Sequence, residues 1–200
     1  MGNMVGLTNK ESEIILHIFK NFSKEYNANS LSKEIKITSR GALKILKKLE
    51  ERGILIGKKM GKATFYRPNL EDNYSVKLIE TLLISEARDK ASRWLHEFRD
   101  IYKNTEIVII FGSIIKNYKD ASDIDILFVL DKKYYNNINS FVEQKNKVLL
   151  KPIHTIIQTI NDLRTNLKKK NPVIISAMRS GYVLYGYDKL VGVIKNVRGI

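Results

Sequence analysis

There is no cysteine among the 200 residues. Disulfides and thiolate metal sites are therefore excluded, and the composition suits the reducing cytoplasm in which we expect the chain to reside. No apolar run reaches the roughly 18 uncharged residues that a membrane helix needs. The first twenty residues, with Lys10, Glu11, Glu13 and Lys20, carry no apolar block of the kind that opens a secretion signal. Neither a membrane span nor a signal peptide is expected. Acids are scarce beside bases: 21 Asp/Glu against 35 Lys/Arg, a formal charge of +14. Such a chain attracts polyanions, of which nucleic acid is the commonest in a cell. A general lysine bias is the bland alternative. Residues 1–70 hold 14 Lys/Arg and 6 Asp/Glu, net +8, so the first third carries more than half of the excess. No serine-histidine-aspartate arrangement, Walker-type phosphate loop or internal repeat is present, and His17, His96 and His154 form no metal-spacing motif.

What is there begins with three short helical patterns. Thr8 caps a helix with Ile14, Ile15, Ile18 and Phe19 on its apolar side. Residues 29–37 fit a second helix. The third, within 38–55, starts at Thr38 or Ser39, places Leu43, Leu46 and Leu49 towards the core, and stops at Gly53. Two short strands around a Lys-Lys-Met-Gly-Lys turn come next, closed by Pro68. Three helices and a basic hairpin make a winged helix-turn-helix, which we expect over residues 1–70 as a binder of double-stranded DNA. Arg40, Lys44 and Lys47 share one helix face through spacings of four and three. Ser39, Arg40 and Lys44 are the candidates for base edges; Lys47, Lys48, Lys58, Lys59 and Lys62 are the candidates for phosphate. A protein-docking module is the alternative use of the same fold. The stretch resembles the winged-helix regulators of bacteria and archaea.

Residues 73–102 contain neither glycine nor proline, and Val76, Ile79, Leu83, Ala87, Trp94, Leu95 and Phe98 follow helical spacing with a weaker turn near Asp89. We expect one long linker helix, a spacer or the seam of a homodimer.

The chemistry lies in residues 104–200. Residues 106–111 read as a buried strand that turns at Gly112-Ser113. A short helix or loop spans 114–120, and 122–130 reads as a second strand, which opens with Asp123 and Asp125. Alternation puts both acids on one face, where paired carboxylates suit a divalent cation with oxygen ligands, Mg²⁺ or Mn²⁺. Gly112 lets backbone approach a phosphate, and Ser113 adds a hydroxyl and an amide. A phosphate at one end and a metal at the other are what nucleotidyl transfer requires.

Gly112-Ser113, nine residues, then Asp123-Ile124-Asp125 between hydrophobics resembles the signature of the nucleotidyltransferase superfamily of the polymerase-beta type. The likeness covers roughly residues 104–190 and includes the tail 171–188, which is similar to the closing helix and strand of minimal members. It implies that Asp123 and Asp125 carry metal and catalysis. It further implies that Gly112 and Ser113 hold the triphosphate of a nucleoside triphosphate, with Lys116 and Lys119 as further phosphate contacts. It also implies a third carboxylate on a neighbouring strand. The strand that would align, 148–157, has none. His154 stands near that place, either as ligand or base or as a hydrogen-bonded core residue. Asp131 lies too far along its strand, and Asp162 is expected to cap the next helix. Minimal members also imply a helical, toxin-like protein partner.

The expected architecture is α+β: the winged helix, the linker helix, then a mixed sheet flanked by helices. The principal reading is a DNA-binding transcriptional regulator whose nucleotidyltransferase-fold domain binds a metal-nucleotide and alters DNA affinity. The alternative is an active enzyme that transfers NMP from NTP to a protein, RNA or small-molecule acceptor.

Overall fold

The computed structural model describes residues 6–198. The outermost residues of the 1–70 and 104–200 ranges lie outside these. Helices and strands succeed one another in an α+β order, and the described chain divides into one unit up to Leu82 and another from Leu83.

In the first unit, the Thr8 hydroxyl accepts the Glu11 N–H at 3.2 Å, and the Glu11 carboxylate accepts the Thr8 N–H at 2.7 Å. This reciprocal cap starts α1 (Asn9–Lys20), which buries Ile14, Ile15, Ile18 and Phe19. Asn27 caps α2 (Ala28–Ile35), and Thr38 caps α3 (Ser39–Glu51) by accepting the Gly41 N–H at 3.1 Å. The buried stripe of α3 is Ala42, Leu46 and Leu49. Leu43, expected on the core side, is instead 39% exposed: once position 42 joins the stripe, the next residue is turned towards its edge. The Gly53 N–H returns to the Glu50 carbonyl at 2.9 Å and closes the helix.

Strands β1 (Leu55–Met60) and β2 (Ala63–Pro68) pair antiparallel, with Met60 opposite Ala63. The turn is therefore only Gly61-Lys62, shorter than the expected five-residue loop, and Lys58 and Lys59 belong to the strand. Gly61 takes a φ of +60°, as the first position of this two-residue hairpin turn requires.

Helix α4 (Asn73–Lys90) begins in the first unit and ends in the second. The continuous helix expected over 73–102 does not form. The chain breaks at Ala91, resumes as α5 (Ser92–Glu97), and finishes in a 3-10 helix, Arg99–Asn104. Ala91, Trp94, Phe98 and Ile101 are all buried in one cluster with the sheet. Their spacing stays helical through the bend, so periodicity conceals it. The bend accompanies tertiary burial rather than any local breaker.

The second unit is built on a sheet of order β5-β4-β3-β6. Its strands are β3 (Ile107–Phe111), β4 (Ile124–Val129), β5 (Ile153–Gln158) and β6 (Tyr182–Tyr185). Strand β3 runs antiparallel to β4 and β6, whereas β4 and β5 are parallel. The strand expected over 148–157 begins only at Ile153. The chain turns through Lys147–Leu149, leaving Val148 and Leu150 74% and 90% exposed, and Pro152 bars an earlier ladder donor.

Around the sheet lie α6 (Tyr135–Asn146), α7 (Ile160–Lys168), α8 (Pro172–Ser180) and α9 (Tyr187–Val197). Val108, Ile110, Ile126 and Phe128 face the cluster of Trp94, Phe98 and Ile138. Alternation sends Ile109, Leu127 and Val129 to the opposite face. Thr159, not Asp162, caps α7, and Asp162 completes the cap from the third position by accepting the Thr159 N–H at 3.0 Å. Among the described residues, no helix is long and apolar enough to cross a membrane.

Candidate active site

Asp125 is the second residue of β4, opposite Phe111 at the end of β3 on one side and opposite His154 of β5 on the other. The Gly112-Ser113 turn therefore lies beside the start of β4, where Asp123 and Asp125 stand. Strand pairing dictates the remaining geometry. Asp123 and Asp125 are two residues apart, so they share a side. His154 is in parallel register with Asp125, so it shares that side as well.

The result is a convergent set: one donor atom each from Asp123, Asp125 and His154 lies within 4.8 Å of the others. An imidazole nitrogen of His154, Nδ1, is 3.1 Å from Oδ1 of Asp125. The His154 side chain is 70% exposed and that of Asp125 21%. Exposure of this degree overturns the alternative of His154 as a core residue. It sits on an edge strand and is aimed at a carboxylate. Two carboxylates and an imidazole, all within reach of one point, are a donor set that fits a divalent cation.

Gly112 has a φ of +81°, and a β-carbon built on it would overlap Oδ2 of Asp125 and lie 3.0 Å from its Cγ. The glycine is needed twice over. It adopts a left-handed turn that other residues resist, and it vacates the space that the carboxylate fills. That second use is invisible in the motif.

Ser113 is exposed at the turn, and its carbonyl accepts the N–H groups of Lys116 and Asn117, each at 3.0 Å. The chain then runs through a series of turns; no helix forms over 114–120. Lys116 and Lys119 are exposed on this spacer, and neither makes an ion pair among the described residues.

The spacer is anchored by residues the motif did not indicate. Ile114 and Ala121 bury its two ends in the core. Between them, Tyr118 lies under the Arg93 guanidinium at 4.5 Å and the Lys151 ammonium at 5.3 Å. The Arg93 guanidinium is also 4.9 Å from the Trp94 ring centroid, and Lys151 donates to the Ala121 carbonyl. A tyrosine in a loop carries no spacing signal, and its partners come from distant sequence, so the pattern alone had no means of finding this clamp.

The remaining candidates lie in the first unit. Ser39, Arg40, Lys44 and Lys47 are exposed on α3, and Lys58, Lys59 and Lys62 are exposed on the hairpin. The Ser39 hydroxyl is 3.0 Å from that of Ser32. Lys48 is placed differently from its companions. Its ammonium is 2.6 Å from Oε1 of Glu11, whose side chain is 3% exposed, so its charge is engaged within the fold.

Residues 95–190 match the family model described as Polymerase beta, Nucleotidyltransferase. No curated protein and no solved structure matches the chain. The matched span contains Gly112, Ser113, Asp123, Asp125 and His154, and all four strands of the second unit's sheet.

Proposed function

We propose that the unit from Leu83 onward is a nucleotidyltransferase that moves NMP from a nucleoside triphosphate to a hydroxyl of a protein, RNA or small-molecule acceptor. One observation carries this reading: Gly112, of the Gly-Ser turn, is packed against Asp125 at the place where the Asp123 and Asp125 carboxylates converge. A divalent cation, when bound, would neutralise phosphate charge and stabilise the leaving pyrophosphate. Asp123 and Asp125 would hold it.

The Gly112-Ser113 turn offers backbone N–H groups to phosphate oxygens, and the long side chain of Lys116 can add a charge-assisted contact. The acceptor oxygen would form a bond to the α-phosphorus as the bond from that phosphorus to the pyrophosphate oxygen breaks. The acceptor proton passes to a nearby base. Positioning and electrostatics supply most of the catalysis in such a reaction.

The test is transfer of label from the α-phosphate of each of four NTPs to the three acceptor classes, for the wild type and Asp123→Asn/Asp125→Asn. We expect label on one class, with release of pyrophosphate and loss in the variant. Equal labelling by the variant would reject this site as the cause.

For the unit up to Leu82 we propose the winged-helix reading, a module that binds double-stranded DNA. Its support is the exposure of Arg40, Lys44, Lys47, Lys58, Lys59 and Lys62 on one helix and one hairpin. Phosphate contacts release counterions, so substitution of Lys58, Lys59 and Lys62 by alanine should reduce the salt slope of binding by about 2 to 3. An unchanged slope would remove these residues from the interface.

A further inference from the structure

His154 is an exposed side chain on an edge strand, and yet its Nδ1 is 3.1 Å from Asp125. Register accounts for the meeting, since Asp125 and His154 are direct partners in the parallel β4–β5 ladder. Among the described residues, it is the third member of the one group of acids and histidines close enough to share a metal ion. We propose that His154 is a ligand of the divalent cation, so that two carboxylates and one imidazole hold a single ion of the manganese type in preference to magnesium. This rests on the nucleotidyltransferase reading for the presence of the cation, and on this chain's own donors for its identity.

Mg²⁺ favours oxygen donors in a rigid octahedron and gives up water reluctantly. Imidazole suits first-row transition ions, whose affinity for such a site is lowest at Mn²⁺ and rises to Cu²⁺. Replacing an oxygen donor by nitrogen therefore costs Mg²⁺ more than Mn²⁺. The count of donors sets the stoichiometry. Asp123 and Asp125 balance the charge of one dication, and no further acid joins the group among the described residues. A second cation would depend on oxygens that a nucleotide brings. The space that Gly112 leaves open lets the Asp125 carboxylate sit beside the imidazole.

The alternative is a surface pair of His154 with Asp125 that never meets a metal. Direct titration of the full chain with Mn²⁺ alone separates the two, using electron paramagnetic resonance to count free ions and pulsed measurements to detect ligating nitrogen. The wild type should bind one Mn²⁺, which Mg²⁺ displaces only at concentrations at least about tenfold higher, and the spectrum should carry nitrogen modulation.

His154→Asp, at an exposed position, should still bind one Mn²⁺ but lose the modulation and narrow the Mn²⁺/Mg²⁺ preference severalfold. Asp123→Asn/Asp125→Asn should lose the ion. Several results would overturn the assignment: no bound Mn²⁺, a nitrogen-free spectrum in the wild type, or identical behaviour of His154→Asp. Binding that depends on the aspartates but shows no nitrogen sinks this inference alone. Binding indifferent to the aspartates sinks the nucleotidyltransferase site with it.

Discussion

Gly112 shows how much one absent side chain can decide. Its φ of +81° and the overlap of a built β-carbon with Asp125 mean that any other residue must disturb the turn, the carboxylate, or both. The left-handed backbone alone costs an alanine about 1–2 kcal/mol. Displacement of Asp125 adds a loss confined to the site, and a misplacement of about 1 Å can cost on the order of a hundredfold in rate. Gly112→Ala should therefore lower the melting temperature by a few degrees and reduce metal-dependent nucleotide binding far more than that drop explains. Thermal unfolding and nucleotide titration of the same preparation check this. Equal nucleotide affinity in wild type and variant would refute the coupling between Gly112 and Asp125. At this scale much of the site was legible, because Gly-Ser, spacer and paired acids are local in sequence. His154 was legible as a candidate near the place of the third acid, but not its meeting with Asp125, which rests on a register between strands whose paired residues lie far apart in the chain.

Among elements, α1 and α3 are joined by one charge pair. Burial of Glu11 opposes its ionisation, but the Lys48 ammonium and the two bonds with Thr8 outweigh that and hold its carboxyl below the usual value. A depressed carboxyl stabilises the fold above its unfolded value, 4.5 for a free side chain, and this contribution fades as pH falls through the folded value. Glu11→Gln keeps the capping geometry but removes the charge. It should destabilise the first unit by about 1–2 kcal/mol at neutral pH. The gap to wild type should close as pH drops below the folded value. Denaturant unfolding at a series of pH values measures it, and a gap constant with pH would show that the pair contributes nothing. Caps, helices and hairpin were readable here because Thr8, Thr38, Gly53 and Gly61 act on their own neighbours. The bend at Ala91 showed only as the weaker turn near Asp89, inside what reads as one helix. Buried residues at 87, 91, 94 and 98 keep helical spacing across it, and what turns the chain is the apolar face of a sheet formed by residues far ahead. The late start of β5 has a local cause in Pro152, which the apolar run at 148–150 masked.

Across the whole molecule, a net charge of +14 is distributed over two units with different chemistry: exposed cations on α3 and a hairpin in one, a carboxylate-imidazole group in the other. Charge balance pointed to polyanions, and a nucleoside triphosphate is as much a polyanion as DNA is. The composition could therefore not say which polyanion each unit takes; for the unit from Leu83 onward the match over residues 95–190 supports a nucleotide, and for the other unit DNA is our proposal. The central claim is that Asp123 and Asp125 form a live metal-nucleotide site. The most direct measurement is thermal unfolding of the full chain with each of four NTPs, with and without Mn²⁺ or Mg²⁺, beside Asp123→Asn/Asp125→Asn. A nucleotide at a hundred times its dissociation constant should stabilise the fold by about 2.7 kcal/mol, only when metal is present and only in the wild type. No shift with any nucleotide, or the same shift in the variant, would contradict the account.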